Sequence, residues 1–473
     1  MIANEQLDIV LTYPPTRQKL AWLFSLPCLG GYLKRKGYSL SVIDPPFLNM
    51  GVTETIQEIA RLNPLAIGVS IPLTDFAHEG VEFLKVVRKA FPNKTVLCGG
   101  IHPTLVPEDV ALHCDAVVLR EGELTTAQIL DRLKEGKDFH DVSGICYVGQ
   151  NGTLSFTQPR ELAANLDELG PPDWSLIPFR KWSETTFLAV EGKFTMPITG
   201  SRGCPFNCAF CANAKLNDRR VRFRSIESVV DEMELIVKDY GVRYFFFQDE
   251  VFTISAQRVM RFCDELERRG LAITWTCQTR ADSITEDSIA RLKQAGCIQI
   301  GFGLESADPG IQRIIRKELD LNKVRETVRI CKKHQMLVTL SFLVGVPGET
   351  VGSIRTTLKF LEECGPDFTV CFYCVPYPGT EVFDIALADG GFKYIHWSRT
   401  QLRSAQWDPP YQPPGLKNVP LPLVVDAVNY RLHMRTPRRF VRVARTAGLL
   451  RATYMLVRSW YSMLRLRGRG VRL

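Results

Sequence analysis

Short apolar runs alternate with amphipathic stretches along most of the chain, and they do so in two separate blocks. In the first, residues 8–13, 39–44, 65–70, 95–99 and 116–119 read as strands, with helical spacing of apolar positions over 20–36, 53–62, 75–91 and 123–135. Strand and helix in succession predict a parallel, doubly wound α/β sheet with helices on both faces. Ligands of such sheets bind outside the carboxyl ends of the strands, here at Tyr13-Pro14-Pro15, Asp44-Pro45-Pro46, Ser70-Ile71-Pro72-Leu73, Gly99-Gly100-Ile101-His102 and Arg120-Glu121-Gly122-Glu123. The rhythm breaks over 141–195: Gln150-Asn151-Gly152 between two apolar runs signals a hairpin, and Gly170-Pro171-Pro172 an irregular connector. A second block then alternates six times, with strands over 196–200, 244–248, 273–278, 298–303, 337–343 and 368–375 and helices over 225–240, 255–269, 285–295, 322–334 and 353–363. Six βα units predict a partial barrel whose working groups sit at the carboxyl ends of its strands. The expected division is 1–140, a connector over 141–195, the barrel over 196–400 and a helical region over 401–473.

Composition adds compartment and charge. Apolar content of 45% and charged content of 23% are those of an ordinary globular protein. Fourteen scattered cysteines in 473 residues make no disulfide framework, and thiols kept reduced point to the cytoplasm. The first residues lack the basic and apolar regions of a signal peptide, and no apolar run approaches the ~20 residues of a membrane span. Twelve arginines and no Asp, Glu or Lys lie in residues 431–473, so this tail carries +12 against a chain total of +8 and leaves the remainder at −4.

Candidate chemistry centres on Cys204, Cys208 and Cys211, in C-x3-C-x2-C spacing. Iron–sulfur clusters are normally closed by four cysteines, so three within eight residues leave one iron open to an outside ligand. A zinc site would want a fourth Cys or His at short spacing, and none follows before Cys263. Three buried packing cysteines are the plain alternative, which does not account for Gly203, Pro205 and Asn207 around them after a strand-like run.

This spacing, with aromatic residues interleaved, resembles the signature of the radical S-adenosylmethionine (SAM) superfamily. The resemblance implies a 4Fe–4S cluster whose open iron is chelated by SAM and which, when reduced, cleaves SAM to a 5′-deoxyadenosyl radical. It also gives the other strand ends a reading. Asp249 and Glu250 would accept hydrogen bonds from the SAM ammonium, and Arg280 would pair with its carboxylate. Glu305 and Ser306 stand in a segment like the family's G-x-E-S near the ribose, and Gly345 begins a glycine loop against the adenosyl group. Pro376-Tyr377-Pro378-Gly379 follows the sixth strand. Structurally, Asp249 and Glu250 could instead favour a helix N-terminus, and Glu305 could pair with Arg280. Cys371 and Cys374 form C-x2-C, but strand positions i and i+3 point to opposite faces. They read as packing, as do Cys263, Cys277, Cys297, Cys331 and Cys364.

The first block resembles the cobalamin-binding domain that precedes many radical SAM cores. That family reads D-x-H-x-x-G, then S-x-L, then G-G. Ser70 and Leu73 approximate the second motif with one extra residue, and Gly99-Gly100 match the third. A hydroxyl there can bond the buried nucleotide tail, and paired glycines let backbone approach it closely. The first motif is absent, so no histidine between Tyr13 and Lys36 serves as a lower axial ligand. His102, beside the glycines, is a further binding candidate. The resemblance implies cobalamin; a doubly wound sheet with ordinary glycine turns is the alternative.

The fold expected is therefore a cobalamin-binding-like doubly wound sheet, a partial (β/α)6 radical SAM barrel and a helical basic C-terminal tail. The activity implied is cobalamin-dependent methylation or remodelling of an unactivated carbon in a small, lipid-like or polyketide-like molecule. One SAM would yield the radical and a second the methyl group, with flavodoxin or ferredoxin as electron donor. The rivals are a radical cyclase or rearrangement enzyme and, from another class, a non-catalytic iron–sulfur sensor or electron carrier. RNA methylthiolation would bring an RNA-binding β-barrel, and no run of short strands follows residue 400, so no nucleic acid is expected. The arginine tail, rich in Leu, Tyr and Trp, reads as an amphipathic helix. Its apolar side is expected to pack on the protein and its basic side to face an anionic surface, which leaves open a peripheral membrane contact.

Overall fold

Strands buried on both faces explain the nearly unbroken apolar runs of the first block. In the computed structural model, which describes residues 6–17, 19, 23–184, 193–393, 409–434, 440–441, 444 and 449–471, the chain forms two units, the first mainly residues 1–189. There β1 (Ile9–Thr12), β2 (Leu40–Ile43), β3 (Ala66–Ser70), β4 (Thr95–Gly99) and β5 (Ala116–Val118) pair in parallel in the order β2-β1-β3-β4-β5. Ile9, Leu11 and Leu97 meet Leu33 of α1 (Ser25–Arg35) on one face. Val10, Ile67 and Val96 meet Ile59 of α2 (Val52–Leu62) and Leu84 of α3 (Ala77–Ala90) on the other. Of the helix expected over 20–36, residues 20–22 lie outside the described set.

This unit also holds α4 (Ile101–Leu105) and α5 (Glu123–Lys134). The expected hairpin is β6 (Ile145–Val148) and β7 (Leu154–Phe156), and it extends the same sheet antiparallel from β5. Residues placed by the sequence in the connector thus enlarge the sheet, because antiparallel strands need only a short turn between them. Farther along, Trp182 donates its indole N–H to Asp44 at 3.0 Å.

The second unit contains six parallel strands in chain order: β8 (Met196–Ile198), β9 (Tyr244–Phe247), β10 (Thr274–Thr279), β11 (Cys297–Glu305), β12 (Leu337–Val344) and β13 (Phe368–Tyr373). The helices between them are α6 (Ile226–Tyr240), α7 (Ala256–Arg268), α8 (Glu286–Gln294), α9 (Leu321–Lys333) and α10 (Val351–Cys364). Ser255, Thr285, Asp320 and Thr350 cap the last four by accepting from first-turn N–H groups. Helix α10 starts ahead of the expected Ser353 because Thr350 and Ser353 form a capping box. Trp275 stands 5.3 Å from Phe247 and 5.4 Å from Phe262, near edge-to-face, and its indole donates to Ala295 O at 2.8 Å. Cys263, Cys277, Cys297 and Cys331 are buried, Cys364 and Cys371 half-buried, and Cys374 packs with Ala209, Ile315 and Val346.

The turn after β12 depends on Glu349, which is 1% exposed and accepts from the Gly345 N–H. Burial pushes its carboxyl up to about 8.

Near the C-terminus α11 (Leu421–Asn429) packs against α12 (Leu449–Gly468). The buried face of α12 holds Ala452, Ser459, Ser462 and Leu466, with Met455, Leu456 and Met463 half-buried, while Leu450, Tyr454, Val457 and Tyr461 are exposed. The helix therefore packs inward through some of its apolar residues, as expected, and leaves others facing out. Small side chains permit close approach, and Asp426 of α11 fixes the register by accepting from Arg458 at 3.0 Å and Ser462 at 3.1 Å. Of the tail, residues 435–439, 442–443, 445–448 and 472–473 lie outside the described set. No described helix is long and apolar enough to cross a membrane.

Two outcomes follow for stability. Gly100 has φ +116, and a Cβ there would lie 2.3 Å from Ile71 O, whereas Gly37 has φ +88 with nothing within 4 Å. Gly100→Ala should destabilise the first unit by at least about 2 kcal/mol more than Gly37→Ala in urea unfolding; equal losses would mean that the close approach is not there. For Glu349, a folded value near 8 against an ordinary 4.5 means that the folded state holds a proton the unfolded state has released. Its contribution is therefore present below about 4.5 and is lost as pH rises to about 8. Glu349→Gln should match the parent near pH 5 and melt about 2 to 4 °C higher near pH 8.5; a constant offset across pH would contradict a buried neutral acid.

Candidate active site

The loop leaving the carboxyl end of β8 carries Cys204, Cys208 and Cys211. Gly203 in it has φ +98, and a Cβ there would fall 2.0 Å from Arg220 O, so the chain passes only without a side chain. Asp249, buried at the end of β9, accepts from Gly200 N at 2.9 Å and from the Ser201 hydroxyl. Glu250 accepts from Gly203 N at 3.2 Å and from the Asn213 amide. Arg258 donates to Gly200 O at 3.0 Å. Farther along, Ala209 N donates to Ile315 O at 2.8 Å, and Ala209 O accepts from Val382 N at 3.0 Å. Thus the loop is held at both ends by the chain itself.

Side chains to which the resemblance gives SAM contacts also have partners within the chain. Asp249 and Glu250, expected to meet the SAM ammonium, direct their oxygens at the cysteine loop. Burial pushes the Asp249 carboxyl up to about 6, against the pull of its two bonds. Arg280, expected to meet the SAM carboxylate, donates to Asp282 at 3.0 and 2.7 Å and to Lys317 O at 3.1 Å. Its guanidinium lies 3.9 Å from the ring centroid of Phe206, the aromatic between Cys204 and Cys208, as in a cation–π contact. Ser306 is buried, with its hydroxyl 3.2 Å from that of Thr357 and accepting from Asp308 N at 3.1 Å. Gly345 has φ +89 and is tied to Glu349.

Glu305 does not pair with Arg280. Its partner is Lys317, at 3.1 Å, with both side chains buried. Gly303 makes room for them, since a Cβ there would lie 2.3 Å from Glu305 Oε1 and 2.9 Å from Lys317 Nζ. Burial pushes all three loop thiols up, Cys211 to about 11, and Lys317 pulls each of them down. A buried ion pair is weak evidence for stability; one whose cation acts on three thiols bears on function. Lys317, Phe206 and Glu349 were not singled out by sequence reasoning. Lys317 sits among several basic residues with nothing in the spacing to mark it, whereas Phe206, inside the cysteine motif, was in plain view.

Among the described residues, no three His, Cys, Asp or Glu side chains converge as the ligands of a single metal ion would. A cluster asks something different, that each thiolate meet its own iron, and three free thiols with a lysine to offset their charge fit that request chemically. Glycine positions and the buried acid–lysine pair beside them suit a polar, partly charged nucleoside such as SAM.

In the first unit, Ser70 pairs in register with Gly99 at the ends of β3 and β4. Gly100 crosses against Ile71 O, as a close backbone approach requires. His102 is fully buried in α4, with Nε2 3.5 Å from Asp109 Oδ2, and neither ring nitrogen makes a hydrogen bond. Thr74 also has a buried hydroxyl without a hydrogen-bond partner. Beyond β1, β2 and β3 opens a shallow crevice lined by residues including Tyr13, Thr16, Asp44, Phe47 and Phe76. Burial pushes Asp44 up to about 6, against the pull of the Trp182 bond. The buried polar atoms of Thr74 and His102 that make no hydrogen bond are groups that an amide-rich corrin with a nucleotide tail would suit.

Comparison with known proteins agrees with this arrangement. Residues 198–361 match the radical SAM superfamily and residues 24–130 the B12 binding domain. An uncharacterized methyltransferase of Pyrococcus horikoshii is 29% identical over 402 residues, covering 83% of this chain and 86% of the relative. The anaerobic magnesium-protoporphyrin IX monomethyl ester cyclase of Rubrivivax gelatinosus is 27% identical, over 80% of this chain and 67% of the relative. The radical SAM methyltransferase TsrM of Kitasatospora setae, solved with cobalamin and a [4Fe-4S] cluster, shares the fold with a TM-score of 0.76 at 17% identity, over 97% of this chain and 100% of that one. A domain that matches the B12 binding domain thus leads into one that matches the radical SAM superfamily, and the chain is a radical SAM enzyme whose cofactors are a 4Fe–4S cluster, SAM and cobalamin.

Proposed function

We propose that this enzyme methylates an unactivated carbon of a small, lipid-like or polyketide-like molecule in the cytoplasm, with flavodoxin or ferredoxin as reductant. The observation that carries this reading is a three-cysteine loop pinned from both sides by Asp249, Glu250, Ile315 and Val382, in a chain that also holds a B12-binding domain. When bound, the cluster and SAM supply the radical, and cobalamin carries the methyl group. Within this reading, Cys204, Cys208 and Cys211 are the iron ligands. Asp249, Glu250 and Arg280 act through the loop, keeping the thiols in place. Glu305, Ser306 and Gly345 shape the SAM side, with Lys317 balancing thiolate charge. Ser70, Gly99, Gly100 and His102 receive cobalamin. Similarity to the magnesium-protoporphyrin cyclase favours cyclisation as the second reading.

Two measurements test this. After anaerobic reconstitution with iron and sulfide, replacing Cys204, Cys208 and Cys211 together by Ala should abolish the cluster's visible absorption; full iron content in that variant would refute the ligand assignment. Turnover with SAM carrying a deuterated methyl group, on a lipid extract as substrate pool, should give S-adenosylhomocysteine and a product heavier by one labelled methyl. Deoxyadenosine without S-adenosylhomocysteine would select the cyclase reading.

A further inference from the structure

Helix α12 is apolar where it meets solvent. Leu450, Tyr454, Val457, Tyr461 and Leu464 are all exposed, from 40% at Leu464 to 89% at Leu450. Their spacing of four, three, four and three residues places them in one stripe along the helix. The stripe lies opposite the buried face of Ala452, Ser459, Ser462 and Leu466, on the side that packs on α11. Trp460 extends it on one side. Arg465 and Arg467, both exposed, flank it, with Arg465 lying 5.8 Å from the Tyr461 ring centroid. The helix contains no Asp, Glu or Lys.

We propose that this face lies on an anionic lipid surface. Leucine and valine would enter the acyl boundary, Tyr454, Trp460 and Tyr461 would sit at headgroup level, and the flanking arginines would meet phosphates. The helix lies on the bilayer and does not cross it, being too polar to span. A second copy of the chain fits less well. Stripe against stripe would bring arginines of both helices together with no acid on either to meet them, where paired helices use opposite charges. A nucleic acid would satisfy the arginines and leave the aliphatic stripe in water. The inference stands on α12 alone and does not depend on methyl transfer.

Co-sedimentation of the full chain with vesicles tests it. Binding to vesicles of phosphatidylcholine and phosphatidylglycerol in equal parts should exceed binding to pure phosphatidylcholine and should weaken in about 0.5 M salt. The triple variant Leu450→Ser, Val457→Ser, Leu464→Ser changes only exposed positions, and its affinity for the mixed vesicles should fall by more than about tenfold. Unaltered circular dichroism and melting would show that the fold survives. Vesicle binding unchanged in the folded triple variant would overturn the proposal. So would failure of the parent chain to bind, whether it is monomeric or is a dimer that the same substitutions dissociate, or binds only nucleic acid.

Discussion

Two adjacent carboxylates organise this molecule's chemistry by what they do to backbone. Asp249 and Glu250, at the tip of one barrel strand, take N–H and hydroxyl donors from Gly200, Ser201 and Gly203 and so fix the entrance of the cysteine loop. A loop that must place three sulfurs for a cluster cannot rely on the cluster alone, because ordering it on binding would subtract from affinity. Here the ordering is done in advance, by contacts of the chain with itself. Arg280 completes the arrangement from a neighbouring strand by stacking on Phe206.

The same site shows how charge is handled where water is scarce. Three thiols in a half-buried loop resist ionising, and cluster ligation needs thiolates. Lys317 supplies a cation that acts on all three, and Glu305 holds that lysine in place. The left-handed backbone of Glu305, φ +59, is strain that an ordinary strand end would not carry.

Much of the fold was legible because periodicity is a local property. The two blocks of alternating elements, the six strands in order and the hairpin at Gln150-Asn151-Gly152 follow from spacing and turn chemistry alone. Partnership is not local. Glu305 was a candidate because of its motif, but its choice of Lys317 over Arg280 depends on where two distant turns meet. Asp249 and Glu250 were visible as acids, while their use on the loop depends on a sheet register. Helix α12 displayed both an apolar stripe and a row of small residues, and a helical wheel cannot say which of the two a neighbour will cover.

The hairpin β6–β7 has an effect beyond adding area. A parallel sheet that stopped at β5 would present a row of open amide and carbonyl groups, ready to recruit a strand from another molecule. By folding back twice, the chain pairs the β5 edge with its own hairpin and moves that boundary to β7. The groups along β5 are thereby taken up within the chain rather than left for a strand from another molecule.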